Sequence, residues 1–146
     1  MKNCIHSIEC FPSLQKTLSP QQNGEMIPLF HGDESSFNIS YVYAMTLFPR
    51  TLKGPYQHKK RSAKLYLLSG KALLVHRDPK IGIYCEDYLV PTSTVFLPVE
   101  EEYCLIGMGQ DVSMFINLCD HPWRPAELET TVPNFSDYDF SKWGLK

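Results

Sequence analysis

Hydrophobic residues along the chain occur in short runs that are separated by polar residues, glycine and proline. β-Branched and aromatic residues dominate these runs, which is typical of β-strands, and no run has the length and period of an amphipathic helix. The pattern predicts strands over residues 4–8, 25–30, 37–48, 64–68, 71–76, 82–90, 94–98, 103–106 and 112–118, and one helical turn over residues 126–130. Many short strands at fairly even spacing favour an all-β sandwich or barrel.

The two ends of the chain differ from this middle part. Residues 1–22 are polar and contain two prolines, so we expect a loose N-terminal arm before a barrel over residues 23–120. Residues 121–146 are predicted to form an extended tail. The tail carries the aromatic residues Phe135, Tyr138, Phe140 and Trp143. Because aromatic side chains are rarely left free in water, we expect the tail to pack on the barrel within a single domain, residues 1–146.

Composition narrows the classes of function. The chain has 146 residues, a net charge of −2 and 43% hydrophobic residues, so neither nucleic acid nor a membrane is an expected partner. The N-terminus has no continuous apolar run, and we expect neither a signal peptide nor a membrane span. The cysteines are Cys4, Cys10, Cys85, Cys104 and Cys119. An odd number without a CxxC pair predicts reduced thiols in a cytoplasmic protein.

The stretch over residues 54–70 resembles the first signature of the cupin barrels, Gly-x-His-x-His-x4-Glu-x6-Gly. In that signature two histidines and a glutamate point inward as metal ligands. This chain has Tyr56, His58 and Ala63 at those positions, and Tyr103 stands where the second cupin signature has a histidine ligand. The resemblance implies a cupin jelly-roll barrel, in which only His58 keeps its ligand type. We therefore expect no bound metal and no other cofactor.

Four stretches resemble one group of cupins that lack metal ligands, the dTDP-4-dehydrorhamnose 3,5-epimerases and related nucleotide-sugar isomerases. They are residues 23–26 (Arg-Gly-x-Phe in the family), 51–56 (Val-Leu-Arg-Gly-Leu-His), 96–98 (Phe-Ile-Pro) and 115–122 (a strand and an Asp-containing turn). Their common order and spacing extend the resemblance over roughly residues 23–143. Since related barrels are usually dimers that share an edge strand, the resemblance also implies a homodimer.

The catalytic positions of that family are replaced in this chain. The family's histidine base, enolate-stabilising lysine and tyrosine acid correspond to Tyr56, Ala63 and Ile116. A phenol, with an ordinary pKa of about 10, is a poor base for removing a proton beside a keto group. His58 lies two residues further on the same face of the strand, so it is the strongest candidate base. The alternative is a hydrogen-bonded barrel histidine without a catalytic role.

Cationic residues near this strand are candidates for binding phosphate. Lys53 stands where the family has an arginine that contacts the nucleotide diphosphate, and it keeps the charge without the bidentate fork. The basic cluster of Lys59, Lys60 and Arg61 is either a solvated turn or an anchor for a phosphate-bearing ligand.

Two further groups of residues receive structural interpretations. The acidic residues Glu100, Glu101 and Glu102 are expected to form a solvated turn at the rim of the barrel. Trp123 and Trp143 are expected to cover the barrel or a subunit contact rather than to bind a ligand.

The two-residue period of a strand predicts the walls of the cavity. If Ala63 and Ile116 face inward, as the resemblance implies, their neighbours two residues away also face inward. The predicted polar groups are Tyr56, His58 and Tyr103, and the predicted walls are Leu65, Leu67, Met114 and Ile116. Such a mixture suits a sugar ring. It suits equally a small barrel whose interior is filled by side chains.

These observations lead to hypotheses from two classes. The first is a protein like the dTDP-4-dehydrorhamnose 3,5-epimerases, with His58, Tyr56 and Tyr103 as catalytic residues, which acts on or binds a nucleotide-linked keto-deoxy sugar in surface polysaccharide biosynthesis. The second is a non-catalytic cupin that binds a carbohydrate or supports a partner enzyme. A metal-dependent dioxygenase is disfavoured because the metal ligands are missing.

Overall fold

A computed structural model describes residues 20–21, 24–25, 29 and 37–145 of the chain. Most of the predicted N-terminal arm therefore lies outside the described residues, and so do the strands predicted over residues 4–8 and 25–30, apart from Glu25 and Leu29. The strands in chain order are β1 (Pro20–Gln21), β2 (Gly24–Glu25), β3 (Tyr41–Leu47), β4 (Leu52–His58), β5 (Ala63–Ser69), β6 (Lys71–Arg77), β7 (Cys85–Leu89), β8 (Thr94–Leu97), β9 (Glu102–Met108), β10 (Ser113–Cys119) and β11 (Thr130–Thr131). Two 3₁₀ helices, Pro125–Glu127 and Phe140–Trp143, follow β10 and β11 respectively.

The strands form two larger antiparallel sheets. The four-stranded sheet has the order β3-β10-β5-β8, and the five-stranded sheet has the order β11-β4-β9-β6-β7. β1 and β2 pair separately with each other. Consecutive strands alternate between the two larger sheets in much of the chain, as in a jelly roll. The all-β prediction is confirmed.

The main core lies between the two sheets. Leu74 and Leu105 of the five-stranded sheet pack with Leu65, Leu67 and Phe115 of the four-stranded sheet, and each of these side chains is almost completely buried. The inward positions on β5 are two residues apart, as the strand period requires. The predicted inward orientation of Leu65 and Leu67 is therefore correct.

The tail packs on the outer face of the five-stranded sheet. Phe135 and Tyr138 are buried against Leu73, Val75 and Ile106, the side chains that point away from the main core. The aromatic residues of the tail thus cover a sheet face that would otherwise expose aliphatic side chains to water. This packing agrees with the expectation that the tail returns to the barrel.

β10 has the opposite orientation to the one predicted. Phe115 and Asn117 point inward, with 0% and 1% of their surfaces exposed. Met114 is exposed, and Ile116 packs with Tyr66 on the outer side of the four-stranded sheet. Ile116 lies directly opposite Tyr66 in the ladder, so the two side chains share a face. The prediction that Met114 and Ile116 line the cavity is therefore wrong.

The cysteines differ in part from the prediction of reduced thiols. Cys104 and Cys119 are free and buried, and burial raises the pKa of these thiols to about 12 and about 11 respectively. Thiols of this kind are inert core residues. Cys85 is disulfide-bonded, so the prediction is wrong for this residue.

The acidic turn is solvated only in part. Glu100 is exposed, whereas Glu101 and Glu102 are buried. Glu101 Oε1 lies 2.7 Å from His76 Nδ1, and Glu102 Oε2 accepts a hydrogen bond of 2.6 Å from Arg77 Nε. The expectation of three solvated carboxylates is wrong for these two, because β9 begins at Glu102 and the adjoining β6 supplies cationic partners.

His76 links folding stability to pH. Its ring lies between the carboxylates of Glu101 and Asp87, the latter 2.9 Å from Nε2. Burial lowers the pKa of His76, but the hydrogen bonds with Asp87 and Glu101 outweigh burial and raise the pKa from 6.5 to about 9. Since the unfolded chain has the lower pKa, the resulting stabilisation is complete below pH 6.5 and is lost as the pH rises through 9.

We expect a His76→Gln variant to be less stable than the wild type at low pH. The difference in the free energy of unfolding should shrink by about 3 kcal/mol as the pH rises from 6 to 10, since one pKa unit corresponds to about 1.4 kcal/mol. Urea denaturation of both proteins across this range measures the difference. A difference that stays constant with pH would contradict the assignment.

The backbone at Phe48, just before β4, lies very close to Gly107 on β9. A Cβ atom on Gly107 would lie 2.0 Å from the carbonyl oxygen of Phe48, whereas one on Gly109 would meet nothing within 4 Å. We expect Gly107→Ala to lower the free energy of unfolding by about 3 kcal/mol through overpacking. Gly109→Ala is the matched control, and the strain of its positive φ should cost about 1 kcal/mol. Equal losses of unfolding free energy in the two variants, measured by urea denaturation, would show that the close contact at Gly107 does not limit the side chain there.

Candidate functional site

A cavity of about 490 Å³ opens between the sheets at the end where β4, β9 and β11 meet the turn after β4. This volume lies within the usual range for small-ligand sites. The residues that line the cavity are Tyr43, Ala44, Met45, Thr46, Lys53, Tyr56, His58, Arg61, Tyr103, Leu105, Trp123 and Thr130. The packed core that includes Leu65, Leu67, Leu74 and Phe115 fills another part of the interior, so the barrel is filled in part and open in part.

β4 supplies two of the candidate catalytic side chains. Tyr56 and His58 lie two residues apart and both face the cavity, while Gln57 between them is held by Glu100 and Thr131. Tyr56 lies directly opposite Tyr103 in the β4–β9 ladder. The three rings of Tyr56, His58 and Tyr103 consequently cluster, with centroids 5.8–6.3 Å apart.

His58 is hydrogen-bonded at both ring nitrogens. Nε2 lies 3.0 Å from Tyr103 Oη and 3.2 Å from Arg61 Nη2. Nδ1 lies 3.0 Å from Thr130 Oγ1, on the strand that pairs directly with His58. His58, Tyr103 and Arg61 are each less than 10% exposed, so these contacts are shielded from water. The predicted residues therefore form one buried polar group at the inner end of the cavity.

The surroundings keep both His58 and Tyr103 neutral. Burial lowers the pKa of His58 to about 4, and the positive charge of Arg61 acts in the same direction. Burial also raises the pKa of the Tyr103 phenol far above its ordinary value. Near neutral pH, His58 can therefore accept a proton and Tyr103 can donate one. A histidine with a pKa of about 4 is a weak base, because its protonated form is disfavoured.

Glu129 belongs to this group although no sequence pattern predicted it. It is 3% exposed, and its Oε1 lies 3.2 Å from Arg61 Nε and 3.6 Å from His58 Nδ1. Thr130 Oγ1 donates a hydrogen bond of 3.1 Å to the same oxygen. The sequence predicted a helical turn over residues 126–130, but the 3₁₀ helix ends at Glu127 and β11 then runs along β4. Only this long-range pairing brings Glu129 to the site.

The Arg61–Glu129 pair leaves hydrogen-bonding capacity unused. Arg61 Nε and Glu129 Oε2 are both buried and have no hydrogen-bond partner among the described residues. The Nε–Oε1 distance of 3.2 Å is that of an ion pair, without the alignment of a good hydrogen bond. The guanidinium and the carboxylate are therefore not joined as a bidentate pair.

The three residues of the predicted basic cluster differ in burial. Arg61 turns into the cavity, whereas Lys59 and Lys60 are exposed, and Lys60 Nζ donates a hydrogen bond of 3.0 Å to Glu127 Oε2. Lys53 lines the cavity and forms no ion pair within residues 37–145. Trp123, expected to cover the barrel or a subunit contact, also lines the cavity and is 56% exposed.

The donor atoms of the site do not suit a metal ion. No group of three or more His, Cys, Asp or Glu side chains among the described residues could hold one. His58 is the only imidazole that lines the cavity, and the remaining oxygen donors there are phenols and hydroxyls. The absence of a metal stays a prediction.

Comparison with known proteins finds relatives in structure alone. No protein-family model and no curated protein sequence matches the chain. A dTDP sugar isomerase from Desulfovibrio desulfuricans is 18% identical with a TM-score of 0.73, over 82% of this chain and 80% of that one. The dTDP-4-dehydrorhamnose 3,5-epimerase from Sulfolobus tokodaii is 14% identical with a TM-score of 0.72, over 84% and 76%. The chain has the cupin fold of the dTDP-sugar epimerases. The predicted fold is confirmed.

A second kind of structural relative is longer than this chain. The capsular polysaccharide assembling protein CapF from Staphylococcus aureus is 19% identical, with a TM-score of 0.61 over 66% of this chain. The chain spans only about a quarter of CapF, 27% of its length.

Among the described residues, no helix is long and apolar enough to cross a membrane.

We expect Arg61→Gln to raise the pKa of His58 above about 4, because the substitution removes a nearby positive charge while the ring stays buried. Lys60→Gln is the matched control, since Lys60 is exposed and paired with Glu127. The pH titration of the His58 ring signals by NMR measures both variants. A His58 pKa that is unchanged in Arg61→Gln, or raised equally in Lys60→Gln, would contradict the electrostatic role of Arg61.

Proposed function

We propose that this cupin binds a nucleotide-linked keto-deoxy sugar in the cavity and acts on it as an epimerase or isomerase in surface polysaccharide biosynthesis. The observation that carries the proposal is the mixed lining of the cavity. A buried polar group of His58, Tyr103 and Arg61 forms its inner end, and the cationic Lys53 and the exposed aromatic Trp123 also line it. A sugar nucleotide likewise combines a reactive ring with an anionic and aromatic remainder.

The inner end suits a sugar ring that carries a keto group. The aromatic side chains of Tyr43 and Tyr56 provide walls, and the neutral His58 and Tyr103 provide a proton acceptor and a proton donor. In the proposed step, His58 Nε2 removes the proton from a carbon beside the keto group, and the electron pair of the broken C–H bond moves to the keto oxygen. Tyr103 hydrogen-bonds to that oxygen, and return of a proton to carbon completes the exchange.

Two of the side chains that line the cavity, Lys53 and Trp123, suit the nucleotide. Lys53, which has no carboxylate partner within residues 37–145, is proposed to contact the diphosphate, and the exposed ring of Trp123 offers a surface for a planar base. Structural relatives support a nucleotide ligand of this class. The 3′-monoepimerase ChmJ from Streptomyces bikiniensis was crystallised with dTDP-quinovose, and it is 17% identical with a TM-score of 0.71.

A specific observation favours a second candidate, a non-catalytic cupin that binds the same ligand. The basic nitrogen Nε2 of His58 is occupied by Arg61 and Tyr103, and the low pKa of about 4 disfavours its protonation. In this case the cavity would serve recognition, and the cupin would support a partner enzyme.

We further propose that the chain is a single domain and forms a homodimer. Among the described residues, β3 is an edge strand of the four-stranded sheet, and an unpaired edge can pair with a second copy. Light scattering after size exclusion distinguishes a dimer from a monomer. A cytoplasmic location stays a prediction, and the Cys85 disulfide counts against it because reducing compartments disfavour such bonds.

Incubation with dTDP-4-keto-6-deoxyglucose in D₂O tests the proposed function. We expect deuterium to appear by NMR at a ring carbon beside the keto group. His58→Asn should reduce the rate by about 100-fold or more while ligand binding remains, since general bases typically contribute that much. His121→Asn, whose ring is half-buried and hydrogen-bonded to Glu127, is the control and should keep the rate.

Three outcomes of this experiment have different meanings. Exchange that depends on His58 supports the enzyme. Binding measured by calorimetry without exchange supports the non-catalytic candidate. Failure to bind any dTDP sugar contradicts both.

A further inference from the structure

The hydrogen bonds around His58 determine which of its nitrogens carries the proton. Arg61 can only donate, so Nε2, which lies 3.2 Å from Arg61 Nη2, satisfies this contact only if it has a free lone pair. A neutral ring with a free lone pair on Nε2 carries its proton on Nδ1. Nδ1 then donates to Thr130 Oγ1 at 3.0 Å.

The hydrogen bonds of Thr130 require the same tautomer of His58. Its single hydroxyl proton is directed at Glu129 Oε1, 3.1 Å away, and a carboxylate can only accept. The hydroxyl oxygen is thereby left as the acceptor for Nδ1–H of His58. In the opposite tautomer, Nε2–H could donate to Tyr103 Oη at 3.0 Å, but it would also face the N–H groups of Arg61. Thr130 would then have to donate to both His58 and Glu129 with one proton.

We propose that Glu129, acting through Thr130, is a positioning residue that fixes His58 in its Nδ1–H form. Nε2 is then the basic nitrogen and lies beside Tyr103 and Arg61 at the inner end of the cavity. The register of the fold maintains this arrangement, because Thr130 lies directly opposite His58 in the β11–β4 ladder. Neither Glu129 nor Thr130 needs to touch a ligand to have this effect.

The same geometry assigns a second task to Arg61. Arg61 Nη2 at 3.2 Å and Tyr103 Oη at 3.0 Å both contact Nε2, so both have to leave this nitrogen before His58 can act as a base. In the proposed step Tyr103 turns to the keto oxygen, and Arg61 has to move as well. Few interactions oppose this movement of Arg61, because its Nε has no hydrogen-bond partner among the described residues and its ion pair with Glu129 is not bidentate. An oxygen of the bound ligand that takes these N–H groups would release Nε2. This part of the inference rests on the proposed function, whereas the tautomer is a property of the protein without ligand.

NMR of the ¹⁵N-labelled protein without ligand tests the tautomer directly, since protonated and unprotonated ring nitrogens differ in chemical shift. Wild-type His58 is expected to be protonated at Nδ1 near neutral pH. Thr130→Val removes the bridging hydroxyl and should shift the tautomer ratio toward Nε2–H by about fivefold, the effect of one hydrogen bond. Thr130→Ser should restore the wild-type ratio.

Two further variants separate this role from a merely structural one. Thr131→Val is the matched control on the same strand, because its hydroxyl bonds to Gln57 and not to His58, and it should leave the ratio unchanged. Glu129→Gln should give both tautomers, since an amide can either accept from Thr130 or donate to it. Urea denaturation checks that each variant is folded.

The outcomes distinguish this inference from the proposed function. A wild-type His58 protonated at Nε2, or equal ratios in Thr130→Val and Thr131→Val, would overturn the inference even if deuterium exchange occurs. An Nδ1–H tautomer that depends on Thr130 would support it even if no sugar nucleotide binds. In an active protein, Thr130→Val should lower kcat with little change in KM, and Thr130→Ser should recover it. A kcat equal to that of the wild type would show that the tautomer has no catalytic consequence.

Discussion

The buried ion pair between Arg61 and Glu129 is the interaction on which the site depends. Both side chains are less than 10% exposed, and removing one partner of such a pair typically costs about 3–5 kcal/mol. The pair attaches the turn after β4 to the segment that enters β11, so it holds together the parts of the chain that surround the cavity. It also places a positive charge beside His58 Nε2, which adds to the effect of burial in lowering the pKa of that ring. The same ion pair therefore connects the segments around the cavity and helps to lower the pKa of His58.

Two buried histidines differ in charge because only one of them lies between carboxylates. Burial lowers the pKa of both rings. At His76, the hydrogen bonds with Asp87 and Glu101 outweigh burial, and the pKa is raised to about 9. At His58, burial lowers the pKa to about 4, and the positive charge of Arg61 acts in the same direction. Neutral His58 therefore retains a lone pair in the cavity.

The fold and part of the site could be predicted from the sequence. Runs of β-branched and aromatic residues specify the strands, and the two-residue period correctly placed Tyr56 and His58 on one face. On β10 the starting assumption from the resemblance, that Ile116 faces inward, was wrong. Apolar residues occupy both faces of that strand, so Ile116 and Phe115 are equally suited to the interior and the sequence gives no local sign of the error. Glu129 could not be found, because its place depends on pairing between β11 and β4, more than seventy residues apart in sequence. Long-range pairing of this kind leaves no local pattern.

The departures from the epimerase pattern thus give a different polar arrangement within the same fold. The chain has Tyr56 and Ala63 where that family has its base and lysine, and it has a group formed by His58, Tyr103, Arg61 and Glu129 in the cavity. Whether this group contacts a sugar is the central question, and a crystal structure of the protein with a dTDP-linked keto sugar answers it most directly. We expect the sugar ring within hydrogen-bond distance of His58 and Tyr103, with Arg61 turned from His58 to the ligand. A cavity that stays empty at saturating ligand, or a sugar bound elsewhere on the protein, would contradict it.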